Sequence, residues 1–349
     1  MRESISDGSQ PPASAPSRYP TRGSERDQWI VSRRPARNVV DPHRPYAFLV
    51  EEELAETREL VSVATIFLTN RECPWRCLMC DLWKNTQTET VPPGAIPAQI
   101  DYALKNIAAR EDGRPPRQIK LYNSGSFFDS RAIPVEDYGA IVQRVRTFER
   151  VIVECHPALV GDSCTSFRDL LNSRAHRSIA GTRLEVAMGL ETAHPQVLEK
   201  LNKRMTIDQF SRAAEWLQRN GIALRVFVLV KPPFLDESEA LHWAERSIDL
   251  AFDCGATVVS LIPTRSGNGA LETLAERGEF SPPKLAMLEA ALRYGIELKR
   301  GRVFADLWDL QKFSDCPVCF TLRKARLREI NRHQTWPGAI DCPQCGGVQ

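Results

Sequence analysis

The stretch RECPWRCLMCDLW, Arg71 to Trp83, places Cys73, Cys77 and Cys80 within eight residues and offers no fourth thiol nearby. Four chemistries compete for three thiols at that spacing: structural zinc, a disulfide with one thiol left over, buried inert cysteines, or an iron-sulfur cluster with one iron unligated. Structural zinc needs four tetrahedral ligands, and the nearest further candidates, Cys155 and His156, belong to a later apolar run. Inert cysteines would follow a helical or strand period, whereas Pro74, Arg76 and Asp81 mark a loop. A four-iron cube takes thiolates at short spacings, and with three protein ligands it keeps one iron open, which accounts for the missing cysteine.

Working outward, β-branched runs alternate with amphipathic stretches. The runs are VSVATIFLTN (61 to 70), RQIKLYNSG (117 to 125), RVIVECHPA (150 to 158), RLEVAMGLET (183 to 192), ALRVFVLVKPP (223 to 233) and TVVSLIPTRS (257 to 266). Helices are predicted between them, near 167–173 and over 207–220 and 237–254, the last two stopped by Gly221 and Gly255. This rhythm predicts an α/β fold with a parallel sheet whose strands are covered on both faces. In such folds chemistry collects at the strand C-terminal ends, and the three cysteines fall just after the first run.

Composition narrows the class. Ten cysteines, seven of them in two tight groups, read as metal or redox ligands in a chain with no apolar run near the N-terminus and none long enough to span a bilayer. A cytoplasmic location without membrane contact is the expectation. The net charge of +2 gives no global argument for a nucleic-acid coat. Residues 1–45, rich in Ser, Pro and Arg, read as a mostly mobile arm.

The C-x3-C-x2-C motif in the loop after the first strand of a six-unit βα protein resembles the radical S-adenosylmethionine (radical SAM) enzymes. The resemblance implies a partial (β/α)6 barrel over 55–295. It implies a [4Fe-4S] cluster on Cys73, Cys77 and Cys80, S-adenosyl-L-methionine on the open iron, and an external electron donor. Met79 stands where the family usually has an aromatic residue. Position by position, Ser124, Gly125 and Ser126 resemble the motif that receives the methionine amino group, Glu191 the residue against the ribose hydroxyls, and Gly267 and Gly269 a loop around the adenine side. The same residues read alone as ordinary turn formers or helix caps. Asn123, Glu154, His156, Lys231 and Arg265, at strand ends, are candidate substrate contacts; for Lys231 a solvated lysine is the favoured reading, and His156 reads also as a packed or surface imidazole.

In residues 296–349, DCPVC (Cys316, Cys319) and DCPQC (Cys342, Cys345) form two C-x2-C knuckles with 22 residues between them, the spacing of a four-cysteine Zn2+ ribbon; a second cluster is the alternative. The intervening TLRKARLREINRHQTW carries Arg323, Lys324, Arg326, Arg328 and Arg332, with Trp336 available for stacking, so RNA contact weighs against a solvated helix face. Within the superfamily, FLTNRECPWRCLMCDLWK, KLYNSGSFFD, MGLET, LEKLNKRMT and LVKPPF resemble proteins related to the elongator catalytic subunit, especially the archaeosine-forming radical SAM lyases. That resemblance implies a lyase acting on a modified tRNA base, with tRNA and a partner transferase as partners. A radical SAM enzyme acting on a small metabolite or peptide, and a non-catalytic zinc- and RNA-binding protein, are the rival readings.

Overall fold

The computed structural model describes residues 18–109, 115–173 and 181–346. Its elements run α1 (Gly23–Val31), β1 (Ala47–Leu54), β2 (Leu60–Leu68), α2 (Ala95–Ala108), β3 (Gln118–Asn123), α3 (Tyr138–Val145), β4 (Arg150–Glu154), α4 (Asp162–Leu171), β5 (Arg183–Glu191), α5 (Pro195–Lys200), α6 (Ile207–Arg219), β6 (Ala223–Val230), α7 (Glu237–Asp253), β7 (Val258–Pro263), α8 (Ala270–Glu276), α9 (Leu285–Glu297), β8 (Arg302–Ala305) and α10 (Pro317–His333). All eight strands lie in one sheet in chain order, β1 antiparallel to β2 and every later pair parallel. The βα rhythm therefore gives the expected α/β partial barrel, with two additions. β1 precedes the six anticipated strands, and β8 hydrogen-bonds to β7, so the sheet continues past residue 295.

Side-chain alternation along each strand builds the two faces. Ile66, Leu121, Val151, Val186, Val226, Val259 and Val303 join the apolar core with the helices. α6 shows how the helices are set: a Thr206–Gln209 capping box starts it, and Phe210, Ala213, Ala214 and Leu217 bury one stripe.

The opposite face corrects the expectation of strands apolar on both sides. Here Thr65, Lys120, Arg150, Glu185 and Arg225 are all buried. Arg225 Nε meets Glu185 at 2.7 Å, Arg225 also pairs with Glu53, Lys120 meets Glu53 at 2.6 Å, and Arg150 meets Glu185 at 2.8 Å. Contacts between β1 and β6 require the sheet to curl on itself, and the seam between β8 and β1 is bridged by Arg302 donating to the Leu54 carbonyl at 3.0 Å. The curl encloses a lumen with a charged floor.

Residues 1–17 lie outside the described residues, and from Arg18 onward the arm reading does not hold. Trp29 and Ile30 of α1 are buried with Tyr19, Leu78, Leu271, Leu274 and Phe280. Charged neighbours in GSERDQWIV disguise a short helix that packs over the cysteine loop.

Candidate active site at the barrel mouth and a four-cysteine metal site

The loop 71–83 is held from several sides at the C-terminal ends of the strands. Glu72, almost fully buried, faces three guanidiniums: Arg34 at 2.6 Å, Arg76 at 2.9 Å, and Arg37. Leu78 donates its N–H to the Leu201 carbonyl at 2.9 Å. Asn268 Nδ2 donates to the carbonyls of Leu78 (2.7 Å) and Cys80 (3.3 Å), and Asn202 Nδ2 donates to the Arg76 carbonyl (2.8 Å). Asn268 and Asn202 escape a sequence reading because their partners lie more than a hundred positions away.

The turn after β3 closes the other side. The N–H of Ser124 reaches Asn70 Oδ1 at 3.2 Å, and its Oγ donates to the Leu82 carbonyl at 3.0 Å. Gly125 has φ +144°, and a Cβ there would stand 3.0 Å from Cys73 Cβ, so only glycine lets the turn approach the cysteine. Ser126 instead accepts from the His156 N–H at 3.3 Å and lies 3.4 Å from Cys155 Sγ. Met79 packs beside Val197, Leu201, Leu229 and Leu235. The Gly267 carbonyl accepts from Lys84, and Gly269, at φ +84°, lies directly on the Arg33 carbonyl, joining the loop after β7 to the segment after α1.

Burial pushes the thiols of Cys73, Cys77 and Cys80 up to about 12 in the metal-free chain, so thiolate formation there would come from a metal displacing the protons. Lys203, buried and paired with Glu191, sits where its charge acts on Cys77 and Cys73. Glu191 itself follows a bulge in β5 and has φ 67°. Glu154 accepts from the Asn123 N–H at 2.9 Å; burial raises its carboxyl to about 8. Both amide atoms of the Asn123 side chain are buried without a partner. An orphaned amide at the strand ends beside this loop is the kind of unsatisfied group a bound ligand completes.

The other candidate substrate contacts are engaged within the chain. His156 stacks on Trp75 at 3.8 Å, accepts from Ala158 N–H through Nδ1 and directs Nε2 to the Lys203 carbonyl at 3.0 Å; burial pushes it down to about 4. It reads as a packed neutral imidazole. Lys231 is buried, not solvated, and meets Glu237 at 2.6 Å and Ser281 at 2.5 Å. Arg265 meets Asp306 at 2.8 Å and the Trp308 carbonyl at 2.7 Å.

The two cysteine groups differ in ligand number. The sulfurs of Cys316, Cys319, Cys342 and Cys345 all lie within 4.8 Å of one another, with Cys316–Cys342 at 3.8 Å and Cys319–Cys345 at 3.7 Å. A tetrahedron with metal–sulfur bonds of about 2.3 Å has edges of about 3.8 Å, so one ion fits. Cys73, Cys77 and Cys80 form no such group among the described residues. Their charges act on one another across the loop, so the three thiols are neighbours, and three protein ligands suit a cluster that keeps one metal corner open.

The basic run of α10 is not the open cationic surface its sequence suggests. Arg323 is buried on Glu289 at 2.6 Å, Arg326 packs under Trp336 at 4.6 Å, and Arg332 meets Glu52 at 3.0 Å. Arg328 remains exposed.

No family model matches the chain. It is 28% identical over 239 residues to archaeosine synthase subunit beta of Methanosarcina acetivorans, across 66% of this chain and 65% of that one. The chain resembles archaeosine synthase subunit beta. An uncharacterized protein of Methanocaldococcus jannaschii is 25% identical over 258 residues, 71% of this chain and 68% of that one. The alignment with the archaeosine synthase subunit thus spans just under two thirds of that relative. Among solved structures, coproporphyrinogen III oxidase of Escherichia coli, a radical SAM enzyme, is similar at 11% identity and a TM-score of 0.43, over 78% of this chain and 55% of that one. Among the described residues no helix is long and apolar enough to cross a membrane.

Proposed function

We propose that the chain is a radical SAM enzyme whose Cys73, Cys77 and Cys80 hold a [4Fe-4S] cluster. The observation that carries this reading is the set of three buried, mutually neighbouring thiols in the loop at the barrel mouth, beside the Gly125 turn and the orphaned Asn123 amide. With the cluster and S-adenosyl-L-methionine bound, the chemistry supplied is reductive cleavage of the sulfonium cofactor, which opens hydrogen abstraction from a substrate. The chain's own part is positioning. Gly125 admits the cofactor's amino end close to the cysteine loop, with Ser124 fixing that turn. Met79, Gly267 and Gly269 would border the adenine side of a bound cofactor. The Lys203–Glu191 pair keeps a cation beside the cysteines, and Glu191 would face the ribose of a bound cofactor. α1 and the Arg34–Glu72 contact exclude water from the loop's outer side.

The substrate reading follows the relatives: a modified base in tRNA, cleaved by a lyase of the archaeosine type, with a partner transferase and an external electron donor, in the cytoplasm. Support comes from the curated relatives rather than from α10, whose arginines are mostly paired. The four C-terminal cysteines are assigned to structural Zn2+.

The test is anaerobic reconstitution with iron and sulfide, then incubation with S-adenosylmethionine and a strong reductant. Formation of 5'-deoxyadenosine supports the assignment. A colourless protein with zinc at Cys73, Cys77 and Cys80 defeats it and returns the non-catalytic reading.

A further inference from the structure

A row of aromatic side chains lines one side of the lumen, and none of it belongs to the residues assigned to the cofactor. Phe67 of β2 contacts Tyr122 of β3 at 6.3 Å between ring centres, and Tyr122 contacts Phe227 of β6 at 5.9 Å. All three rings are half-buried, on the same strand faces as the charged floor. Tyr122 sits where both that floor, through Lys120 and Arg225, and Glu154 act on it. At the rim, Trp308 touches Phe67 at 6.3 Å, yet 58% of its surface is exposed.

Trp308 is not a loosely exposed residue. Its N–H donates to Asp306 Oδ1 at 2.9 Å, its carbonyl accepts from Arg265 at 2.7 Å, and Arg265 is itself fixed by Asp306 at 2.8 Å and by the Phe313 ring. The backbone is pinned on both sides while a large apolar ring is left in water, an arrangement that favours presentation over core packing. The row continues the other way through Tyr46, 5.7 Å from Phe67 and close enough to Cys80 for their charges to interact. It therefore leads from open solvent to the cysteine loop.

We propose that Trp308 and the Phe67–Tyr122–Phe227 wall are the entry and stacking platform for a planar heterocycle of the nucleobase class, with Trp308 the outer, specificity-determining contact. The rings meet edge to face, at 64°, 79° and 87°, and the ring left open to solvent is that of Trp308, a surface on which any base can stack through its π-face. This rests on the modified-base reading above, and its test does not depend on turnover.

The full chain with its metal sites loaded is irradiated with 6-thioguanosine under long-wavelength ultraviolet light, and cross-linked peptides are mapped by mass spectrometry. The expected result is a cross-link within residues 306–309, competed by guanosine and not by ribose 5-phosphate. Half-saturation should rise at least about tenfold in Trp308→Ala and change little in Trp308→Phe, as loss of one stacking partner implies. Trp308 is exposed, so both variants should fold. Cross-links scattered over the surface, competition by ribose 5-phosphate, or unchanged half-saturation in Trp308→Ala would overturn the proposal. If 5'-deoxyadenosine forms but no cross-link does, the platform fails alone; a cross-link without cofactor cleavage sinks the radical reading instead.

Discussion

Arg225 of β6 reaches across the lumen to Glu53 of β1, five places away in the sheet order, with Nη1 3.3 Å from Oε2 and Nε 2.7 Å from Glu185. Both carboxylates depend on the same guanidinium in a buried site. Burial opposes their charge, and Arg225, together with Lys120 at Glu53 and Arg150 at Glu185, more than offsets it, holding both below the usual carboxylate range. Arg225→Met would leave two poorly compensated carboxylates and should destabilise the chain by about 3–5 kcal/mol. Urea unfolding checks this; a change below about 1 kcal/mol would mean that the floor is wet and adaptable.

The segment around α1 should act on the cysteine loop specifically. Trp29 packs with Leu78, which directly follows Cys77. Trp29→Ala should cost about 3–5 kcal/mol locally. Hydrogen exchange of residues 73–82 should accelerate while β5 and β6 stay protected. Equal acceleration everywhere would show that α1 supports the barrel as a whole.

Much of this was legible. The six central strands announced themselves through their apolar outer positions, and the cysteine spacing marked the mouth. β1 was hidden because AFLVEEEL reads as acidic chain; Glu51 and Glu53 make sense only opposite Lys120 and Arg225, which folding brings to them. β8, RVFA, is too short to show a period. The basic run of α10 looked like an open cationic surface because Glu289 and Glu52, which neutralise Arg323 and Arg332, are remote in sequence. Local pattern reports which face is apolar; long-range charge pairing leaves no local trace.

The four-cysteine site should hold one zinc per chain irrespective of the barrel mouth. Metal analysis should find it retained when Cys73, Cys77 and Cys80 are all changed to Ala, and lost in Cys342→Ser. Zinc holds its thiolates deprotonated, so protons compete with the ion and release to a chelator should quicken as pH falls. Release that is faster at higher pH would contradict this.

Glu154 gives a signed pH dependence. Burial raises its carboxyl from 4.5 to about 8, so between those values the folded chain binds more protons than the unfolded one. Stability from this group is therefore greatest below pH 4.5 and falls as pH rises through 8. Glu154→Gln keeps an acceptor for the Asn123 N–H and removes the titration. Relative to the parent, its stability should improve steadily from pH 5 to pH 8. A constant difference in denaturation experiments would show that Glu154 is ionised and solvated.

The account turns on three thiolates leaving one metal corner for an outside ligand. Mössbauer spectroscopy of the chain reconstituted with iron-57, with the C-terminal site filled by zinc, tests that most directly. The prediction is a four-iron cluster in which adding S-adenosylmethionine changes the signal of one iron and leaves the other three, and which Cys80→Ala does not assemble. A loop that takes zinc, or a cluster whose irons are all indifferent to the cofactor, would contradict it.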